Sequence, residues 1–186
     1  MLNLILASQS PRRSELLETA GLRFTVRARP VAEVRAPGED PRDYVARLAR
    51  AKADAAWEGA VDELVLGADT VVVLDEHVLE KPPNAEEARA MLRTLSGRTH
   101  IVITGICLRH AEGTIVDIAS TKVRFAQLDE REITDYVKSG EPMDKAGAYA
   151  IQGLASKFVE RVEGCYFNVI GLPLALVYRH WKSLGG

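Results

Sequence analysis

The feature that most constrains this chain is a junction near its amino terminus, Leu4-Ile5-Leu6-Ala7-Ser8-Gln9-Ser10-Pro11-Arg12-Arg13. An apolar run long enough for a buried strand stops abruptly in small polar residues. Ser10-Pro11 then reads as a helix start, a hydroxyl N-cap followed by proline at the first helical position. Arg12 and Arg13 fall in the first helical turn, where the macrodipole already presents partial positive charge and cations are disfavoured. A helix amino terminus with free N–H groups, hydroxyls and two guanidinium forks reads as an anion seat. The alternative is that both arginines point to solvent at a small cost.

Beyond the junction, strand and helix patterns alternate without an internal repeat. Leu16, Leu17 and Ala20 give the first helix its apolar side, and Gly21 is a natural residue to follow it. Phe24-Thr25-Val26 reads as a short strand, and Ala28 to Glu39 as a loop carrying Glu33. A second helix starts at Asp40-Pro41 and runs to about Trp57, with Val45, Leu48, Ala49 and Ala56 on its apolar stripe. Lys52 falls on that same stripe, either snorkelling past the core edge or meeting an anion in a cleft. Leu64 to Leu74 is the most apolar stretch, a central strand interrupted by Asp69-Thr70. An ionised carboxylate there costs several kcal/mol unless paired, hydrated or metal-bound. β-Branched residues resume after Thr70, which favours a functional aspartate over a turn cap.

Lys81 sits where a short strand ends at Pro82-Pro83, and Asn84 with Glu87 resembles a capping box. The helix behind it carries Ala88, Met91, Leu92 and Leu95 as a core stripe. Thr99 to Leu108 and Thr114 to Phe125 suggest a hairpin through Glu112-Gly113, and Asp129 with Glu132 opens a further helix that stops at Gly140. Glu141 to Gly153 is dense in small residues, with Asp144, Lys145 and Gln152 as polar points, a backbone able to pass close to a ligand. Phe158 to Val162 alternates as a strand, and a last helix begins near Pro173. The class expected is α/β, a mixed twisted sheet with flanking helices and not a strictly doubly wound one.

Several functions are excluded by what the chain lacks. Its 186 residues, 47% hydrophobic and 27% charged, suffice for one domain, and a net charge of −2 leaves no basic footprint for nucleic acid. No window approaches a membrane span, and the amino-terminal run has no signal-peptide layout. Cys107 and Cys165 have neither metal nor redox spacing, so the expected compartment is intracellular and reducing, the cytoplasm. The four histidines form no zinc pattern, and no dinucleotide fingerprint, Walker loop or nucleophile elbow occurs. What remains is a set of cations (Arg12, Arg13, Lys52, Lys81, Lys145) and carboxylates (Glu33, Asp69, Asp144) at loops, strand ends and helix starts. Such residues suit metal-assisted phosphoryl or nucleotidyl hydrolysis: cations clamp phosphates, and carboxylates hold a hard divalent ion and orient water. Gln152, with donors and an acceptor, can read a base edge.

Six blocks, taken in order, resemble the Maf family of septum-formation-inhibitor-like nucleoside triphosphate pyrophosphatases. They are Leu6 to Arg13, Gly67-Ala68-Asp69-Thr70, Glu80-Lys81-Pro82, Met91 to Gly97, Pro142 to Gly153 and Asn168 to Leu174. The resemblance runs from Leu4 to about Leu176. It implies one domain over residues 1–186, with two lobes around a central cleft and a fold like the inosine triphosphatase group. It also implies cleavage of a nucleoside triphosphate between the α and β phosphates, a divalent cation (Mg²⁺ or Mn²⁺), and a homodimer. Carried over by position, Asp69 matches the proton acceptor, and Arg12, Thr70 and Gln152 the substrate-specificity positions. Ser8, Arg13, Glu33, Lys52 and Lys81 match polar residues that handle phosphate and metal, with Glu33 and Asp69 as metal ligands. Arg12, Ala68-Asp69-Thr70 and Ile151-Gln152-Gly153 resemble the branch acting on dTTP and UTP, with the 7-methyl-GTP branch as the alternative substrate class. A different class of function, a division regulator that binds nucleotide without turnover, is the competing expectation.

Overall fold

The apolar run around Asp69 forms one unbroken strand, Glu63–Leu74, buried along almost its whole length, so Asp69 and Thr70 do not end it. The computed structural model describes residues 2–185. Its strands are β1 (Asn3–Leu6), β2 (Phe24–Val26), β3 (Glu63–Leu74), β4 (His77–Leu79), β5 (Thr99–His110), β6 (Gly113–Phe125) and β7 (Val159–Glu163). Its helices are α1 (Pro11–Thr19), α2 (Pro41–Ala56), α3 (Ala85–Leu95), α4 (Glu130–Lys138), α5 (Tyr166–Ile170) and α6 (Leu174–Ser183). The sheet order is β2-β1-β3-β5-β6-β7, with β4 also on β3. β1 runs parallel to β2 and β3, whereas β4 and β7 pair antiparallel to β3 and β6. The sheet is therefore mixed, as the residue patterns predict.

Most helix limits follow the sequence signals. Asp40 caps α2 by accepting from the Arg42 N–H, Asn84 caps α3 through the Glu87 N–H, and Asp129 with Glu132 completes a reciprocal capping box on α4. Ser10 departs from expectation: it holds the N-cap position of α1, but its side chain makes no capping bond. Ser8 Oγ accepts from the Ser10 N–H instead. Ala20 is exposed, so the apolar side of α1 rests on Leu16 and Leu17. The strand expected before Pro82 ends at Leu79, and α5 was not apparent, being a single aromatic-rich turn too short to show a period.

The chain divides into two compact units, one of residues up to Thr70 with Thr104–Ala119 and Gly171 onward, the other of Val71–Ile103 and Ser120–Ile170. In the first, α2 lies directly on β3 and β5. A Cβ built on Gly67 would fall 2.1 Å from the Ala49 carbonyl oxygen, and one on Gly105 would fall 2.5 Å from that of Val45. Two glycines under one helix thus bring its backbone onto the sheet, and Ala49, Ala53 and Ala56 fill the space with Ile5, Val65 and Cys107.

The second unit is centred on aromatic rings. His100, Phe125 and Tyr149 meet edge to face with centroids 4.8–5.3 Å apart, and Phe158 bridges to Tyr136. His100 is 1% exposed; its Nε2 lies 2.8 Å from the Tyr149 hydroxyl, and its Nδ1 has no partner among the described residues. Asn168, also fully buried, donates to the Val102 carbonyl and the Thr121 hydroxyl and so ties α5 to β5 and β6.

Two expectations follow from this packing. Gly67→Ala should cost about 1–3 kcal/mol by overpacking, read as a lower midpoint of urea unfolding at unchanged slope. A neutral substitution would mean that α2 can lift off the sheet without penalty. Burial also holds the His100 pKa down at about 4, against an ordinary 6.5. The folded protein keeps this ring neutral where the unfolded chain takes up a proton, so its contribution is complete above pH 6.5 and declines as the pH falls toward 4. Between about pH 7 and 5 the loss amounts to roughly 2 kcal/mol. The stability difference between those pH values should shrink by that amount in His100→Asn, and an unchanged difference would place the acid sensitivity elsewhere.

Candidate functional site

Because α2 sits on Gly67, the lysine on its apolar stripe arrives beside the side chain two residues further along the same face of β3. Lys52 Nζ lies 2.6 Å from Asp69 Oδ1 and 2.8 Å from Glu33 Oε1. Asp69 is 8% exposed, and the Lys52 ammonium is largely covered, whereas Glu33 opens to solvent from its loop. The Tyr44 hydroxyl of α2 donates to the Glu33 carbonyl at 3.3 Å and holds that loop against the helix. Of the two readings of Lys52, the anion partner is the one observed.

The junction after β1 is organised around Arg13. β1 ends its ladder at Ala7, whose N–H reaches the Leu66 carbonyl, so the next carbonyl on that side of β3, Ala68, has no strand beside it. Arg13 Nη1 donates to that carbonyl at 2.9 Å and to Ser8 Oγ at 3.0 Å. Nε donates to the Gly171 carbonyl at 2.9 Å, and Nη2 to Thr70 Oγ1 at 3.1 Å. Arg13 is thus neither a solvent-facing residue nor an open fork; it braces the end of β3 against the turns at Ser8 and Gly171. Burial pushes its pKa below the ordinary arginine value, Asp69 and Glu33 work against that shift, and Arg12 adds to it.

Of the expected site residues, Ser8, Arg12, Arg13, Glu33, Lys52, Asp69 and Thr70 belong to the first unit, and Lys81 and Gln152 to the second. Arg12 is half-buried at the start of α1, whereas Lys81 and Gln152 are exposed. Thr70, on the opposite face of β3 from Asp69, shares its hydroxyl with Arg13 and with Thr104 Oγ1 at 2.9 Å. Thr104 is a buried polar residue inside the apolar run of β5. Its sequence signal is the one that marks Asp69, muted because threonine suits a strand.

The donor set admits a divalent cation. Glu33 and Asp69 already share one positive group, the Lys52 ammonium, so the pair tolerates a cation between its oxygens. Among the described residues no three His, Cys, Asp or Glu side chains gather where they could hold a metal ion.

The chain is similar to known proteins along its whole length. The chain is 52% identical over 184 residues to a "dTTP/UTP pyrophosphatase" of Koribacter versatilis (strain Ellin345), covering 99% of this chain and 95% of that protein. It is 50% identical over 185 residues to a "dTTP/UTP pyrophosphatase" of Geobacillus sp. (strain WCH70), covering all of both. Among solved structures, a HAM1 protein from Coxiella burnetii matches with a TM-score of 0.52 at 17% identity, covering 82% of this chain and 89% of that one. That likeness concerns the fold alone and bears out the expected inosine triphosphatase-like fold. A family model described as "Maf-like protein" matches residues 3–184, and the chain belongs to the Maf family.

Proposed function

We propose that this protein is a nucleoside triphosphate pyrophosphatase that hydrolyses dTTP and UTP to the monophosphate and pyrophosphate. The observation that carries the chemistry is Asp69, a buried carboxylate poised on Lys52, in a chain about half identical along its whole length to proteins named for that reaction. Lys52 occupies Oδ1 of Asp69 and leaves Oδ2 to take a proton. In the proposed step a water oxygen bonds to the α-phosphorus as its proton passes to Asp69 and the bond from phosphorus to the bridging oxygen breaks, with pyrophosphate leaving. Glu33 and Asp69 are the residues that would hold Mg²⁺ or Mn²⁺, which when bound neutralises phosphate charge and polarises the water.

The remaining residues divide between charge and recognition. Lys52, once released by its carboxylates, and Lys81 offset polyphosphate charge, and Arg12 orients it through its planar fork. Arg13 and Ser8 keep the end of β3 in place beneath Asp69, because four of the five guanidinium N–H groups are already committed to protein acceptors. Thr70 and Gln152 are assigned to specificity, with the exposed Gln152 amide offering both a donor and an acceptor to a pyrimidine edge. Among the described residues no helix is long and apolar enough to cross a membrane, and the substrate is a small nucleotide. A homodimer in the cytoplasm completes the proposal.

Product analysis of the purified protein with Mg²⁺ or Mn²⁺ against dTTP, UTP, CTP, GTP and 7-methyl-GTP tests the reading. Monophosphate and pyrophosphate should form from dTTP and UTP. The same products from 7-methyl-GTP alone would move the substrate class, and no turnover with either metal would favour a binding regulator. Asp69→Asn should lower kcat by about 10²–10⁴-fold while nucleotide still binds by calorimetry; an unaffected rate would remove Asp69 from the mechanism. Sedimentation at assay concentration checks the dimer.

A further inference from the structure

The turn that carries Gln152 is tied down on both sides by one pair of side chains. α4 ends in a short reversal: the Ser139 hydroxyl donates to the Tyr136 carbonyl, and Gly140 adopts φ +78°. The reversal returns Glu141 to Tyr136, whose hydroxyl donates to Glu141 Oε1 at 2.8 Å. The same hydroxyl accepts from the Ala150 N–H at 3.3 Å, and Glu141 Oε2 accepts from the Leu154 N–H at 3.0 Å. Ala150 and Leu154 stand two residues before and two after Gln152, so the phenol and the carboxylate together bracket it. Glu141 is itself fixed, since its carbonyl accepts from Lys145 Nζ at 2.7 Å and its N–H donates to the Ser139 hydroxyl.

Two backbone observations show that this segment is held in a costly shape. Ala148, fully buried, has φ +59°, a left-handed conformation that a non-glycine residue rarely adopts without support. Gly153 has a negative φ, yet a Cβ there would run into the Glu141 carboxylate. The glycine after Gln152 is needed because the carboxylate occupies the space of its side chain. Three further ties secure the segment: the Tyr149 hydroxyl on His100, the Gly147 N–H on the Glu80 carbonyl, and Val72 against Gly147.

We infer that Glu141, acting with Tyr136, is a positioning residue for base recognition: the pair fixes the turn from Ala150 to Leu154 so that the Gln152 amide is presented to a pyrimidine in one orientation. This rests on the proposed role of Gln152 as reader of the base. The carboxylate touches no substrate; its effect reaches the nucleotide through the backbone of the turn. A donor and acceptor on a mobile side chain discriminate poorly between bases, whereas the same groups on a fixed backbone reject an edge that leaves them unpaired.

The test compares Glu141→Ala, Tyr136→Phe and Gln152→Ala by amide exchange over residues 150–154 and by kcat and KM for UTP and GTP. Expected are faster exchange at Ala150 and Leu154 in the first two variants, and a rise in KM for UTP of about tenfold with a much smaller change in kcat. The preference for UTP over GTP should fall toward that of Gln152→Ala. The double variant Glu141→Ala/Gln152→Ala should be no worse than Gln152→Ala alone, as residues acting through one contact are not additive. Glu141→Gln, which keeps an oxygen for the Leu154 N–H, should recover most of the selectivity. Tyr136→Phe removes one oxygen and keeps the ring in the core, so the measurement survives if Glu141→Ala does not fold. Unchanged exchange, or full selectivity in Glu141→Ala and Tyr136→Phe while Gln152→Ala loses it, would overturn the inference and leave the proposed function standing. Unchanged selectivity in Gln152→Ala itself would overturn both the base-reading role and the inference, with the exchange result showing that the clamp is nonetheless real.

Discussion

The contact on which the first unit depends is backbone against backbone, α2 resting on β3 and β5 at Gly67 and Gly105. A helix normally stands off a sheet by the depth of its side chains; here the sheet side chains beneath it are absent at two positions, and the helix packs there through alanines. The gain is dispersion along a dense seam of alanines, where a void or an added methyl group would be felt at once. The functional consequence is reach. With the helix this low, the Lys52 stem needs only to run along the sheet to place its ammonium on Asp69, and the ion pair becomes a fixed part of the fold.

The opposite side of the same strand poses a different problem with a different solution. A sheet whose neighbouring strand stops early leaves carbonyls pointing into a protein interior, each costing free energy comparable to a lost hydrogen bond. Arg13 serves three backbone or hydroxyl acceptors around that gap and a fourth at Thr70, which offsets the penalty of burying its guanidinium. A cation in the first turn of α1, unfavourable by the helix dipole, is therefore retained for its geometry. Five donors in a planar fork satisfy a broken sheet edge in a way that lysine, a point charge, cannot.

These cases show what was legible in the chain. Periodicity and caps gave α2, α3 and α4 nearly to the residue, and the two conspicuous anomalies, an aspartate in a strand and a lysine on an apolar stripe, turn out to be partners. Such anomalies are visible because they break a local rule. Arg13 broke a rule as well, but its use depends on where β1 stops relative to β3, a matter of register between segments about sixty residues apart, which no local pattern encodes. Thr104 breaks that rule only faintly, since threonine belongs in strands. Glu141 looked like an ordinary loop residue before proline; its targets are set by the reversal after α4 and by an empty glycine twelve residues on, and only the fold brings these together.

The resting arrangement of Glu33, Lys52 and Asp69 also bears on why a buried carboxylate survives at all. Lys52 is shared by two carboxylates, one buried and one open to solvent, so the cluster is not an isolated buried ion pair of the kind that apolar residues replace without loss. Removing the lysine would strand Asp69 in a largely dehydrated place, and removing Asp69 would leave Lys52 covered with only the exposed Glu33 as partner. The three groups stabilise one another through these two contacts. Under the proposed reaction Glu33 and Asp69 would hold a divalent ion, which would supply positive charge to the phosphates, and Lys52 would offset phosphate charge beside it. Stability and chemistry thus draw on the same three side chains, and the fold keeps a cluster that a purely structural core would replace with leucine.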